Sequence, residues 1–175
     1  MTGATAARFV RAVDRLSTAC AVAAASFLAA AMLIVVWMVL WRATGHSTYW
    51  EIEMAVYLIV AAVLVGSPYT LMTKGHIGVD LLAHFLGARG RLRLERVLAV
   101  LGLAVCLYLA WKGFELTLDA FEKGERSGSS WNPVRWPFFA MMPLGLGLTA
   151  LQYVAEMMRP PGTPQADAAI SGQGA

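Results

Sequence analysis

Charged side chains are scarce in this sequence of 175 residues. Asp, Glu, Lys and Arg together make up 14% of it, whereas hydrophobic residues make up 58%. A soluble domain carries roughly 25% charged residues, so the composition favours a membrane protein. The few basic residues are scattered and no nucleic-acid-binding motif surrounds them, so we expect no nucleic-acid partner.

Cysteine and histidine are also rare. Cys20 and Cys106 both lie within apolar runs, and the sequence has no CxxC and no mixed His/Cys cluster. We interpret both cysteines as small buried or lipid-facing residues. The sequence offers no Ser–His–Asp set, no Gly-rich phosphate loop and no paired carboxylates inside an apolar run. We therefore expect neither an enzyme nor a cofactor site.

Long uncharged runs are what the sequence does contain. No charge occurs over the 26 residues from Leu16 to Trp41, and similar runs precede Lys74 and Glu156. A helix of about 20 apolar residues crosses the ~30 Å hydrocarbon core of a membrane. A shorter run around Val97–Trp111 is extended by apolar neighbours. We predict an all-α integral membrane protein with four transmembrane helices, at about residues 16–41, 52–73, 92–114 and 136–156.

Basic residues flank these spans unevenly. Three precede the first span (Arg8, Arg11 and Arg15) and five follow the second, whereas the four after the third are matched by acids. The positive-inside rule then predicts that both termini are cytoplasmic. We expect one four-helix membrane domain over residues 1–158, followed by a disordered tail rich in Pro and Gly over 159–175.

The connection between the second and third spans contains the stretch KGHIGVDLLAHFL. On a helical wheel His76, Asp80 and His84 share one side, and apolar residues fill the other. This pattern predicts a short amphipathic helix at about 76–86 lying on the membrane surface. The three polar side chains could ligate a divalent metal, but no fourth ligand is near. We favour a solvated face or a contact with a partner.

Two carboxylates, Glu51 and Glu53, stand at the start of the second span beside Trp50. The first turn of a helix favours carboxylates, so both fit a helix start. A second hypothesis fits equally well: Glu53, one turn before Tyr57, pairs with a basic group on a neighbouring subunit.

Two stretches of the sequence resemble those of a known family of membrane proteins. WEIEMAVYLIVAAVLVGSPYTLMTKGHIGVDLL resembles the signature region of the DctQ-type small membrane subunit of tripartite ATP-independent periplasmic (TRAP) transporters. NPVRWPFFAMMPLGLG is similar to the start of the family's fourth span, with its internal Pro–x–Gly. The resemblance covers roughly residues 10–158. Family members often carry Arg where this chain has Val56, so no inference can use a basic residue there. The candidate structural or partner-contact residues are Trp50, Glu53, Tyr57, Gly66, His76, Asp80, Pro143 and Gly145.

The resemblance implies the small permease subunit of a sodium-coupled importer in the bacterial inner membrane. In such transporters a large membrane subunit holds the solute and sodium sites, and a periplasmic binding protein delivers the solute, which is typically an organic carboxylate. The small subunit is then a scaffold for the large subunit and helps dock the binding protein. It holds no substrate, metal or cofactor of its own.

Two other classes of function compete with this one. A haem-binding anchor of a redox enzyme would need axial histidines inside the spans, whereas His46, His76 and His84 lie in connections. A small homodimeric exporter would need a buried acid within a span, and Glu53 lies close to the end of one.

Overall fold

A computed structural model describes residues 2–73 and 88–158 as four long helices. No β-strand occurs within these ranges, so the predicted all-α class with four membrane-spanning helices is confirmed. The predicted interfacial helix at 76–86 and the predicted tail at 159–175 lie outside the described residues. The helices are α1 (Thr2–Ala43), α2 (Glu51–Met72), α3 (Ala88–Glu122) and α4 (Trp136–Met158).

All four helices are long and apolar enough to cross a membrane, and two are longer than a crossing requires. With 42 and 35 residues, α1 and α3 reach roughly 63 and 53 Å at 1.5 Å per residue, against a hydrocarbon core of ~30 Å. They extend past the predicted spans at 16–41 and 92–114. Hydropathy marks the part of a helix that suits lipid, whereas the backbone hydrogen bonds continue through charged turns.

Helices α2 and α4 run parallel and form the centre of the bundle. Tyr57 stacks on Phe138 near their first turns, with ring centroids 4.6 Å apart. Seven residues further along both helices, Leu64 meets Gly145. Helix α1 packs against α2 and, less extensively, against α4.

Helix α3 packs antiparallel to α4, because Gly102 lies beside Tyr153 and Gly113 beside Met142. The bundle therefore has two distinct ends. We call the end that carries the α1–α2 and α3–α4 connections the loop end. The opposite end, where α1 begins and α4 finishes, is the terminal end.

The face that α1 turns toward the bundle is built of small residues. Its buried positions are three, four or seven residues apart, as on one face of a helix, and they are Val13, Ser17, Cys20, Ala24 and Ala31. A methyl group added to Gly66 of α2 would lie 3.2 Å from the Cβ of Ala24. Small side chains let membrane helices approach closely, and α1 and α2 meet in this way.

The closest backbone approach brings α4 against a carbonyl group of α2. A methyl group on Gly145 would lie 2.5 Å from the carbonyl oxygen of Leu64. Pro68, one turn after Leu64, has no N–H and cannot donate the helical hydrogen bond to this oxygen. The carbonyl faces the α-carbon of Gly145 instead, an arrangement that suits the weak Cα–H···O contacts found between helices. Pro68 and Gly145 are both buried.

Substitution of Gly145 tests this close contact between the backbones of α2 and α4. We expect Gly145→Ala to lower the free energy of unfolding by about 1–3 kcal/mol, the usual cost of overpacking, because the new methyl group meets backbone rather than a flexible side chain. Gly147→Ala is the matched control, since nothing lies within 4 Å of its added methyl group. It should be neutral, or stabilising by up to ~1 kcal/mol through helix propensity. Unfolding in detergent micelles measures both, and equal stability of the two variants would contradict the packing.

Candidate functional site

At the loop end, α3 finishes in a left-handed turn. Gly124 has a φ of +59°, and the N–H of Glu125 donates back to the carbonyl of Ala120 at 3.0 Å, as in a Schellman motif. Lys123, the residue after α3, donates to Asp119 in the last turn with Nζ and Oδ2 2.5 Å apart, and this hydrogen bond raises the pKa of Lys123. The helix therefore stops at a defined point and releases the chain toward α4.

The chain between α3 and α4, which we call the 125–135 loop, folds back on itself. Arg126 and Val134 form an antiparallel bridge. The N–H of Ser127 donates to the carbonyl of Pro133 at 3.0 Å. These contacts give the loop a backbone framework of its own, and two of its serines, Ser127 and Ser129, contact α2.

Glu53 of α2 binds this loop with both carboxylate oxygens. Oε1 accepts hydrogen bonds from the hydroxyls of Tyr57, at 2.9 Å, and of Ser127. Oε2 accepts a hydrogen bond from the hydroxyl of Ser129 at 2.6 Å. Hydrogen bonds to a charged acceptor are stronger than those between neutral groups. The carboxylate thus fastens the 125–135 loop to the first turn of α2.

Ser129 links Glu53 to the turn of the loop. While its hydroxyl donates to Glu53, the same oxygen accepts the N–H of Asn132 at 3.0 Å. Asn132 has a φ of +53°, a left-handed conformation that asparagine adopts more readily than most residues. Its side-chain oxygen accepts the N–H of Gly128 at 3.2 Å. The hydrogen bonds run without a break from α2 into the loop.

Aromatic rings lie on either side of this contact. Trp50, the residue before α2, and Trp131 of the loop have ring centroids 6.3 Å apart. Tyr57, which donates to Glu53, stacks on Phe138 in the first turn of α4. Aromatic pairs of this kind add roughly 0.5–1.5 kcal/mol beyond their buried area. They hold α2, the loop and α4 in one arrangement.

The two acids at the start of α2 have different environments. Glu51 is buried, at 3% exposure, and its Oε2 accepts the N–H of Trp50 at 3.2 Å, as suits a helix start. Glu53 contacts hydroxyl groups of its own chain. The hypothesis that Glu53 pairs with a basic group on a neighbouring subunit stays a prediction.

A second buried polar contact joins α1 to α4 near the terminal end. The hydroxyl of Ser17 donates to the side-chain oxygen of Gln152 at 2.8 Å, and the Gln152 amide donates to Asp14 at 3.2 Å. Gln152 is fully buried and Ser17 is 1% exposed. Such a contact holds two membrane helices in register, because the polar groups would otherwise face hydrocarbon.

The structure distributes the predicted site residues over separate places. Trp50, Glu53 and Tyr57 come together at the loop end, as described above. Gly66 packs on α1, and Gly145 packs on α2. Pro143 lies inside α4 without ending it. Two further candidates, His76 and Asp80, lie outside the described residues.

Sequence reasoning missed the partners of these residues. Ser127 and Ser129 are separated from Glu53 by more than seventy positions and lie in a loop without any periodic pattern. The contact between Ser17 and Gln152 could have been predicted, because each is a polar residue near the end of an apolar run. Within the part of the chain that the structure describes, no group of three His, Cys, Asp or Glu side chains could hold a metal ion.

Removing the Glu53 carboxylate should free the loop. We expect Glu53→Ala to speed tryptic cleavage after Arg126 and Arg135 several-fold, because the loop loses its attachment to α2. Ser129→Ala should show a smaller increase. Ser130→Ala is the matched control: its hydroxyl makes no hydrogen bond to the described chain, so cleavage should match wild type. Mass spectrometry of the fragments over time measures the rates, and equal rates for all four proteins would show that Glu53 does not hold the loop.

Comparison of the chain with known proteins identifies the family to which it belongs. Searches of curated proteins and of solved structures each gave no match. The family model described as "Tripartite ATP-independent periplasmic transporters, DctQ component" matches residues 31–160. This match covers about three quarters of the chain and includes all of α2, α3 and α4. The family consists of transporter components rather than enzymes. This chain, a multi-pass membrane protein, belongs to the DctQ component family of the tripartite ATP-independent periplasmic transporters.

Proposed function

We propose that this small TRAP subunit braces the large membrane subunit of a sodium-coupled importer and moves no solute itself. The observation that carries the proposal is the distribution of polar groups along the bundle. In the described helices the side-chain hydrogen bonds that join different elements lie near the two ends, around Glu53 and around Gln152. Between the two ends Thr149 is buried, but its hydroxyl donates to the carbonyl of Gly145 in its own helix. This middle stretch is otherwise packed through apolar and small residues, and a scaffold needs nothing else there.

A transport route would require polar or charged groups partway across the membrane. Helix α1 has no charge between Arg15 and Arg42, and α2 has none after Glu53. At mid-helix positions such as Gly66 and Gly145, the helices meet through small side chains and backbone. These features support a packing role, in which sodium and solute bind to the large subunit.

The outward faces of the outer helices supply the surface for such packing. On α1, Met32 and Leu33 are 70% and 69% exposed, and on α3, Tyr108 and Trp111 are 63% and 64% exposed. Among the described helices α3 contacts α4 alone, so most of its circumference is free. In a membrane these faces meet either lipid or the large subunit.

The position of the loop end suggests a further role. With both termini in the cytoplasm, as the basic flanks indicate, the loop end faces the periplasm in the bacterial inner membrane. There the 125–135 loop, held by Glu53, offers a shaped surface toward a periplasmic binding protein. On this proposal the solute is an organic carboxylate chosen by the other two components. The division into a membrane domain (1–158) and a tail (159–175) belongs to the same proposal.

Purification and reconstitution test the scaffold role. A tagged chain should carry a much larger membrane protein with it in mild detergent. Liposomes that contain the complete transporter should accumulate solute in a sodium gradient, whereas liposomes with this chain alone should not. Accumulation by the isolated chain would contradict the proposal.

A single substitution separates the scaffold from the exporter. Glu53→Gln keeps the shape of the side chain and one accepting oxygen but removes the charge. The complete transporter carrying it should keep most of its uptake, since no ion passes through Glu53. Loss of uptake while the two membrane subunits stay assembled and the binding protein still docks would show that this carboxylate takes part in transport.

A further inference from the structure

Three exposed arginines form a basic stripe on α1 near the terminal end. Arg8, Arg11 and Arg15 fall within about 60° of one another around the helix axis, at 100° per residue. Together with Ala12 they line a shallow groove of about 220 Å³. The groove therefore presents three guanidinium groups to one occupant.

Among the residues that the structure describes, no acidic side chain neutralises this stripe. None of the three arginines forms an ion pair with a side chain that the structure describes. Arg11 donates from Nε to the carbonyl of Ala7 at 3.2 Å, which leaves its terminal nitrogens for other contacts. Asp14, an acid close by in the sequence, accepts a hydrogen bond from Gln152 of α4.

The stripe points away from the bundle. The buried face of α1, which includes Val13 and Ser17, lies on the opposite side of the helix axis. On the side of the arginines, the helix continues as exposed apolar surface, where Val22 is 65% and Leu33 is 69% exposed. The surface changes from basic to apolar at Arg15, where the uncharged run begins. An occupant of the groove therefore meets cations first and a hydrocarbon-compatible surface directly beside them.

We propose that this stripe is a binding site for an anionic phospholipid. The guanidinium groups bind the phosphate, and the acyl chains lie along Val22 and Leu33. Guanidinium groups bind phosphate oxygens in a bidentate fashion, and basic clusters beside a membrane span attract anionic lipids. A free phosphate ion offers the same oxygens but would use none of the apolar surface. The proposal does not depend on the transport role, because it needs only the membrane placement of α1.

Native mass spectrometry of the full-length chain, taken from vesicles of equal parts phosphatidylglycerol and phosphatidylcholine, tests the site. The variants are a triple Arg→Gln and a triple Arg→Lys at residues 8, 11 and 15. The lysine variant keeps every positive charge, and with it the basic count that sets orientation, but loses the bidentate geometry. Arg42→Gln, at the other end of the same helix, is the matched control.

Wild type should retain phosphatidylglycerol in preference to phosphatidylcholine. In the glutamine variant the ratio of retained phosphatidylglycerol to phosphatidylcholine should be roughly tenfold lower. The lysine variant should fall between them, and Arg42→Gln should match wild type. Inorganic phosphate at millimolar concentration should not displace the lipid. Equal retention of the two lipids by wild type would overturn the proposal, as would unchanged retention in either triple variant. Displacement by phosphate alone would assign the groove to a soluble anion instead.

Discussion

The close contact between α2 and α4 at Gly145 sets the geometry of the whole bundle. Since the Leu64 carbonyl lies where a side chain at position 145 would be, the two helices approach to a distance that only glycine permits. The same approach aligns Tyr57 with Phe138 nearer the loop end. Helices α1 and α3 then pack on this central pair. A side chain at position 145 would change the spacing for all of them.

Polar contacts complete what the apolar packing leaves undetermined. Packing of small residues fixes the distance between two helices but only weakly fixes their register along the axis. The hydrogen bond of Ser17 to Gln152 fixes α1 against α4, and Glu53 fixes the 125–135 loop against α2. Both contacts lie toward the ends of the helices, where water is close. Between them the buried hydroxyl of Thr149 bonds within its own helix, so among the described residues no side-chain hydrogen bond joins two helices in the middle of the bundle. This arrangement suits the scaffold role that we propose for the chain.

The sequence predicted the helices well because their cause is local. An uncharged run of about 20 residues has one favourable arrangement in a membrane, a helix. The close contacts at Gly66 and Gly145 could also be anticipated from small residues in apolar runs. The partners of Glu53 could not, because nothing in the sequence brings serines from a distant loop to the start of α2. The extension of α1 to Thr2 was missed because hydropathy detects the residues that are compatible with lipid. It does not detect helical turns that contain charged residues.

The central claim is that this polypeptide braces a transport pathway that belongs to another subunit. The most direct measurement is a cryo-EM map of the assembled transporter with sodium and solute bound. The account predicts ion and solute density wholly within the large subunit, with the four helices packed against its static part. Density for an ion or a solute enclosed among α1 to α4 would contradict it.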